Sequence, residues 1–140
     1  MHSTNRILFC FLMILIALLL TQCSSKSSEE WVREGIVLSE KGDYKNAFDA
    51  FMKATELDPK NSAAHYGLGG MYNYQGRHEE AGQSFQTVIK LDPTHINARY
   101  SLGFTYEKLG KPELAKAEFA RYHSLKNRFE AMVAKEQEKP

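Results

Sequence analysis

The histidines and cysteines of this chain are well suited to act as nucleophiles, bases or metal ligands, but their spacing matches no catalytic or metal-binding pattern. No HExxH, no CxxC and no other pair at metal-ligand spacing occurs. The glycine-rich stretch 67–70 follows no predicted strand and lacks the lysine of a phosphate-binding loop. We therefore predict no catalytic residues, no metal, no cofactor and no small-molecule substrate, so that the protein is not an enzyme. The histidines beyond the N-terminal segment are expected at the surface: His65, His78, His95 and His123.

The two cysteines lie in or directly after a long apolar run near the N-terminus. Arg6 precedes an uninterrupted apolar stretch of 14 residues, Ile7–Leu20, which is typical of an export signal. A permanent transmembrane helix needs about 20 such residues, so this run is short for a membrane span. We predict that residues 1–22 form a signal peptide and that Cys10 is removed with it. The remaining chain then has no second cysteine with which to form a disulfide.

Cys23 is the residue for which the sequence predicts a covalent modification. The segment 20–23, Leu-Thr-Gln-Cys, resembles the lipobox of bacterial lipoproteins, although Gln22 stands where the pattern normally has Gly, Ala or Ser. This resemblance implies a lipoprotein signal peptide, a diacylglycerol on the Cys23 thiol, and Cys23 as the acylated first residue after cleavage. The alternative is an ordinary cysteine beside an uncleaved signal anchor. Residues 23–28 are predicted to be the lipidated N-terminus and a short polar tether.

The charged residues give no indication of nucleic-acid binding. The chain has 18 basic and 17 acidic residues, and removal of residues 1–22 takes away only Arg6 among them. A neutral chain with interspersed signs lacks the basic patch that nucleic acid or anionic lipid attracts. We therefore expect no nucleic-acid partner, and contact with a membrane only through the lipid anchor.

Small and aromatic residues recur in this chain at a fixed interval of 34 residues. A period of this length marks units that bury a core by stacking on their neighbours. Each unit contains two segments of helical periodicity separated by a glycine, so each is predicted to form an antiparallel helix pair. The three repeats are 28–61, 62–95 and 96–129. The recurring residues are Gly35, Gly69 and Gly103; Gly42, Gly76 and Gly110; Ala47, Ala81 and Ala115; Phe51, Phe85 and Phe119.

Residues between these segments predict where the helices begin and end. Gly42 and its two equivalents suit the left-handed residue that ends a helix, Asp43 can cap the next helix, and Pro112 is tolerated in a first turn. The Asp58-Pro59 pair and its equivalent in repeat two are predicted to end the second helix. Repeat three has Asn127 at the proline position, so its last helix is predicted to continue. The recurring Gly35 positions are expected to face the recurring alanines, with the phenylalanines filling the space between repeats.

The pattern of Trp or Leu, Leu-Gly, Tyr, Gly-Asp-Tyr, Ala, Phe, Ala and Pro on this period resembles the tetratricopeptide repeat (TPR) over residues 28–129. The resemblance implies an all-α fold, an α-solenoid of three TPR helix-turn-helix repeats plus a C-terminal capping helix. Residues 130–140 are expected to form a C-terminal helix extension and tail. Its apolar residues either cap the end of the solenoid or form a dimer interface.

In that family the first helix of each repeat lines a concave groove that binds a partner segment. The resemblance therefore implies a partner-binding groove in this chain, whereas the cationic residues of a carboxylate clamp are missing. The candidate groove residues are Arg33, Ile36, Tyr66, Gly67, Gly70, Asn73, Tyr74, Asn97, Tyr100 and Phe104.

Gly67 and Gly70 lie inside a predicted helix, where each glycine costs roughly 0.5–1 kcal/mol relative to alanine. One explanation is a hollow in the groove floor, walled by Tyr66, Tyr74 and Tyr100, that receives an apolar side chain of the partner. The other is relief of crowding against Tyr100 and Phe104 of the next repeat. The sequence leaves both explanations open.

Taken together, these features predict a lipid-anchored protein-protein interaction module of the bacterial cell envelope. It would act as an adaptor or assembly factor for an envelope protein complex, with a partner protein or peptide segment in its groove. Ser24 after the acylated cysteine implies the outer membrane, facing the periplasm. The alternative is a structural lipoprotein that self-associates through its solenoid ends.

Overall fold

A computed structural model of the chain describes residues 26–138. The predicted signal peptide, Cys23 and the first residues of the tether lie outside this range. The described residues form helices without any strand. Among them, no helix has both the length and the hydropathy needed to cross a bilayer. The six helices are α1 (Ser28–Glu40), α2 (Tyr44–Leu57), α3 (Ser62–Tyr74), α4 (His78–Leu91), α5 (Ile96–Lys108) and α6 (Pro112–Gln137).

The helix ends fall where the sequence predicts them. Gly42, Gly76 and Gly110 have φ values of 78°, 75° and 66°, the left-handed conformation that glycine adopts without strain. The Asp43 carboxylate accepts a hydrogen bond from the backbone N–H of Asn46 and so caps α2. Pro112 occupies the first turn of α6, and α2 and α4 end directly before the two Asp-Pro pairs.

The first helix begins with a capping box. The Ser27 hydroxyl accepts a hydrogen bond from the backbone N–H of Glu30, and the Glu30 carboxylate accepts one from the Ser27 N–H at 2.7 Å. Lys26 forms an ion pair with Glu34 and places its ammonium 4.3 Å from the Trp31 ring centroid. The chain is therefore held against α1 from Lys26 onward.

The core is built from the small and aromatic residues that repeat along the sequence. Ala47, Ala81 and Ala115 are buried, and the Phe51 and Phe85 rings are almost completely enclosed. A Cβ atom added at Gly35, Gly69 or Gly103 would lie 2.8, 2.6 or 2.7 Å from the phenylalanine ring of the same repeat, so these glycines admit the rings. The contact between the recurring glycines and alanines stays a prediction.

The pattern of helix contacts gives the solenoid its concave side. Each helix packs on the next one along the chain, and the first helices also contact one another, α1 with α3 and α3 with α5. Between residues 26 and 138 the second helices make no such contacts with one another. Since the first helices lie closer together, they line the concave face, as the family resemblance implied.

The last helix is longer than its counterparts, as the missing proline at Asn127 predicts. Helix α6 has 26 residues, whereas α2 and α4 each have 14. The predicted C-terminal helix is thus a continuation of α6 and not a separate element. Its apolar side chains Phe129, Met132 and Val133 are 58%, 68% and 38% exposed.

One buried ion pair joins α5 to α6. Arg99 Nη1 lies 3.0 Å from Glu118 Oε2, with 14% and 11% of the two side chains exposed. Arg121 forms a second ion pair with Glu118, and Arg99 Nη2 donates a hydrogen bond to the Pro93 carbonyl. Arg99 Nε is buried without a hydrogen-bond partner. The cluster ties the loop between α4 and α5 to the last repeat.

Candidate partner-binding groove

The concave face contains a cavity of about 240 Å3 at its centre. Its wall is formed mainly by the first helices of all three repeats, and two phenylalanines of the second helices close its base. No charged side chain lines it. The lining residues are Ile36, Ser39, Phe51, Tyr66, Gly67, Gly70, Met71, Phe85 and Ser101.

Gly67 is required by packing. A Cβ atom at this position would lie 2.4 Å from Cε1 of Phe51, closer than van der Waals contact allows. The crowding comes from the preceding repeat, whereas the sequence suggested Tyr100 and Phe104 of the next. Gly67 therefore lets α3 approach the Phe51 ring.

Gly70 is not explained by packing. A Cβ atom here would have no heavy atom of a neighbouring group within 4 Å, so relief of crowding does not account for this glycine. Gly70 lies in the middle of α3, where the helix would be more stable with alanine. Its effect on the surface is to keep the cavity open, which supports a hollow in the groove floor.

The three tyrosines predicted to wall the hollow are distributed differently. Tyr66 lines it and packs on Phe85, with 5.7 Å between ring centroids. Neither Tyr74 nor Tyr100 lines the cavity. The Tyr74 ring packs on Tyr44 with 4.1 Å between ring centroids, and the Tyr100 ring packs on Phe119 with 5.7 Å between centroids. The prediction of a tyrosine wall is therefore wrong for two of its three members. Both rings remain more than half exposed beside the groove.

The two candidate asparagines have different surroundings. The Asn73 amide donates to Thr105 Oγ1 at 2.8 Å, and its carbonyl oxygen lies 3.0 Å from His78 Nδ1. Asn73 thus ties α3 to α4 and α5, which limits its use for a partner backbone. Asn97 is exposed and lines a larger cavity beside α6.

The remaining candidates lie outside the hollow but stay accessible. Arg33 is exposed on α1. Phe104 is partly exposed on α5, with the Lys108 ammonium 5.0 Å from its ring centroid. The structure therefore brings Ile36, Tyr66 and the two glycines together, and the partner contacts of all ten candidates stay a prediction.

The second cavity, of about 610 Å3, lies between the start of α5 and the C-terminal part of α6. Sequence analysis did not predict it, because it depends on where the end of α6 lies relative to the loop before α5. The residues that line it are Thr94, His95, Ile96, Asn97, Leu125, Arg128, Phe129 and Met132.

Three histidines have structural roles, contrary to the expectation of free surface residues. His95 Nδ1 accepts a hydrogen bond from the Ala98 N–H and caps α5. His65 Nε2 lies 2.9 Å from the Pro59 carbonyl oxygen, and His78 bonds to Asn73. Within residues 26–138, no cluster of His, Cys, Asp and Glu could hold a metal ion.

Hydrogen bonds lower the pKa of two carboxylates that lie outside the hollow. The Thr94 hydroxyl and backbone N–H bond to Asp92 and lower the pKa of its carboxylate. A hydrogen bond from the Arg77 side chain lowers the pKa of Glu80. Both residues are partly exposed and neither lines the hollow, so the hollow offers shape and apolar contact.

Three of the lining residues were missed as site residues by sequence reasoning. Phe51 and Phe85 were assigned only to the core, although they line the base of the cavity. Met71 gave no signal beyond its position in a first helix. Ser39 and Ser101 occupy positions that the family resemblance places on the concave face, and both line the cavity.

Comparison with known proteins gives the family. Three sequence models described as "Tetratricopeptide repeat" match residues 28–61, 50–83 and 96–132, and a fourth, described as "TPR repeat", matches residues 69–110. Together they cover the chain from the first helix into the extension of the last. The chain is a tetratricopeptide repeat protein. No curated protein sequence matches it.

Solved structures share this TPR fold. A crystal structure of MamA is 26% identical with a TM-score of 0.71, over 75% of this chain and 61% of the MamA chain. The second TPR domain of Spaghetti (RPAP3), bound to the HSP90 peptide SRMEEVD, is 22% identical with a TM-score of 0.69, over 71% of this chain and 93% of that one. This TPR protein spans about three fifths of the length of the MamA chain.

Membership in the TPR family fixes the general class of function. Such proteins are protein-interaction scaffolds that typically need no cofactor. The chain is therefore a protein-protein interaction module and not an enzyme.

Proposed function

We propose that this TPR protein is a lipid-anchored adaptor or assembly factor of a bacterial envelope complex, and that it holds a partner segment in its concave groove. The observation that carries the proposal is the open hollow at Gly70. A glycine that destabilises its helix and relieves no contact is best explained by what the space receives.

The chemistry of the hollow favours an apolar side chain of the partner. Its base is made of the Phe51 and Phe85 rings, and Ile36 and Met71 add aliphatic and thioether surface. No cation lines it to pair with a carboxylate. The hydroxyls of Ser39 and Ser101 at the rim can bond to a partner backbone. An extended or helical segment that inserts one apolar or aromatic residue fits this arrangement.

The HSP90 peptide held by the RPAP3 domains contains two glutamates and an aspartate, so it is strongly acidic. In the present chain the positions of a carboxylate clamp hold Val32, Ile36, Gly67, Asn97 and Ser101, without any cation. We therefore propose a partner segment that is not acidic where it enters the hollow.

The lipid anchor and the location are part of the same proposal. Acylation of Cys23 would attach the protein to the outer membrane on its periplasmic side, with Ser24 favouring export there. A groove held at the membrane meets membrane-bound partners at a raised effective concentration, so a weak contact can still be occupied. The lipobox resemblance supports this part of the proposal.

Site-specific photocrosslinking in native membranes tests the groove. A photoreactive phenylalanine replaces Ile36, which lines the hollow and is 45% exposed, and the matched control replaces Lys90, which is exposed on α4. We expect one envelope protein to be captured at position 36 but not at 90, and its capture to be lost in Gly70→Leu, which fills the hollow. Equal capture at both positions, or capture that Gly70→Leu does not change, would contradict the groove function.

Metabolic labelling tests the anchor separately. We expect the full chain to incorporate a clickable palmitate analogue and to sediment with membranes, whereas Cys23→Ala incorporates none. Labelling that persists in Cys23→Ala would show that the lipid is elsewhere. A chain that is never labelled would contradict the anchor without affecting the groove.

A further inference from the structure

The cavity of about 610 Å3 between the start of α5 and the C-terminal part of α6, named the corner here, adjoins the hollow at Gly70. Tyr66 lines the hollow, and His95 lines the corner. The Tyr66 and His95 rings pack on each other with 5.0 Å between their centroids. The two cavities therefore share this pair of rings as a wall.

Helix α5 also joins the two cavities. Ser101 lines the hollow and Asn97 lines the corner, and these residues are one helical turn apart, a rise of about 6 Å. For cavities of about 240 and 610 Å3, the two centres are then on the order of 10–15 Å apart. An extended chain covers this distance in about three to five residues. One bound segment can therefore reach both cavities.

Much of the surface of the corner is apolar. Leu125, Phe129 and Met132 of α6 line it, and their spacing of four and three residues places them on one side of the helix. Ile96 adds apolar surface from the start of α5. Phe129 and Met132 are 58% and 68% exposed, so the corner is open to a side chain from outside. Its volume is large enough for a bulky apolar side chain.

Arg128 gives the corner a cation. It lines the cavity, and within residues 26–138 its guanidinium forms no ion pair. Nearby carboxylates have other partners, since Glu130 pairs with Lys126, and Asp92 accepts two hydrogen bonds from Thr94. A carboxylate of the occupant can therefore pair with Arg128 beside the apolar surface. The remaining charged residues of the described C-terminal part of α6 do not line the corner: Lys135, Glu136 and Glu138.

We propose that the partner segment held in the groove crosses α5 and also occupies the corner. It places one apolar side chain in the hollow and a second, about three to five residues away, in the corner. An aspartate or glutamate next to the second side chain pairs with Arg128. The occupant is a partner segment because the corner continues the groove across α5, and an acidic residue on it complements the unpaired cation. This inference names the chemistry of the partner, and it rests on the proposed groove function.

Photocrosslinking at two positions tests whether one segment spans both cavities. A photoreactive phenylalanine replaces Ile36 or Met132 in the full chain in native membranes, and Leu114, 49% exposed at the start of α6, is the control position. We expect positions 36 and 132 to capture the same protein within one short stretch of its sequence, and position 114 to capture none of it. At position 132, no capture, or capture of another protein, a second copy of this chain or lipid, would overturn this inference and leave the groove function intact. No capture at position 36 would contradict both.

Selection from a displayed library of random peptides, on the full chain in detergent micelles, tests the chemistry without the natural partner. We expect the enriched peptides to share two apolar residues about three to five residues apart, with an aspartate or glutamate beside one of them. Arg128→Glu should weaken their binding about threefold to tenfold, and peptides with lysine at the acidic position should recover most of this loss.

Lys126→Glu is the matched control, because it makes the same change of charge outside the lining of the corner. We expect it to leave the affinity of the peptides unchanged, and the helical circular dichroism of both variants to match that of the parent. Enriched peptides with a single apolar residue, an equal loss of affinity in the two variants, or no recovery with lysine would overturn the inference.

Discussion

The Phe51 ring lies between Gly35 of its own repeat and Gly67 of the next, and neither position has room for a methyl group. A Cβ atom would approach the ring to 2.8 Å at Gly35 and to 2.4 Å at Gly67. Because the ring is confined from both sides, it cannot move away from one glycine without approaching the other. Phe51 thus connects the packing within a repeat to the packing between repeats.

Gly67→Ala is expected to destabilise the domain. The added methyl group overlaps the Phe51 ring, and overpacking of this kind lowers the free energy of unfolding by about 1–3 kcal/mol. The better helix propensity of alanine offsets at most about 1 kcal/mol of this loss. Urea denaturation followed by circular dichroism measures the change. An unchanged midpoint would show that Phe51 can rearrange.

Gly70→Ala is the matched control and should change stability in the opposite direction. Nothing lies within 4 Å of the added methyl group, so the free energy of unfolding should rise by about 0.5–1 kcal/mol through helix propensity alone. The same denaturation experiment measures it. A loss of stability would contradict the open space beside Gly70.

Glu118→Ala should be among the most destabilising single changes at a charged residue. It leaves the Arg99 guanidinium buried without its carboxylate, which costs about 3–5 kcal/mol in comparable pairs. Glu130→Ala is the control, because its partner Lys126 is half exposed and such a pair contributes less than about 1 kcal/mol. Thermal denaturation measures the loss of stability in both variants. Similar losses would contradict the prediction that burial makes the Arg99–Glu118 pair the more important of the two.

Thr94→Ala should raise the pKa of Asp92 toward the ordinary value of an aspartate. The Thr94 hydroxyl is the main cause of the lowered pKa, and its backbone N–H, which the variant keeps, is the next. Because the pKa of Asp92 is lowered in the folded chain, its ionised carboxylate stabilises the fold at pH values above the ordinary pKa of an aspartate. This contribution to stability is lost as the pH falls through the lowered pKa. NMR titration of the Asp92 carboxyl measures the shift, and Thr87→Ala, whose hydroxyl bonds to the Gln83 carbonyl, should leave it unchanged.

Glu34→Leu should convert the polar start of the solenoid into a surface that accepts another repeat. Leu68 and Leu102 occupy the equivalent positions and are buried against the preceding repeat. We expect association that grows with protein concentration, measured by sedimentation velocity. Glu29→Leu, on a different face of α1 from Glu30 and Glu34, is the control. A variant no larger than the parent would show that Glu34 does not protect this end.

The repeat period was enough to predict the helices and their order. Glycine at 42, 76 and 110 and the two Asp-Pro pairs set the ends of the helices through local backbone preferences, which do not depend on distant contacts. The missing proline at Asn127 predicted the extension for the same reason. These features are local, so a single sequence contains them.

The details of the groove depended on distances that a single sequence does not contain. Gly67 and Gly70 have the same residue type and lie one helical turn apart, yet only Gly67 touches Phe51. Glu118 occupies the position that Ala50 and Ser84 occupy in the first two repeats. Nothing in the neighbouring sequence indicated that this carboxylate would be buried in an ion pair with Arg99. Sequence predicted the face on which residues lie, and the packing between repeats decided their neighbours.

The order of helix contacts also bears on how the chain folds as it is made. Among the helices of residues 26–138, contacts join only those one or two positions apart along the chain. A chain that emerges N-terminus first can therefore complete the packing of α1, α2 and α3 while α6 is still to appear, since no early helix waits for a late one. Among these helices the extension of α6 emerges last, so its exposed apolar side chains appear only after the preceding helices are able to pack.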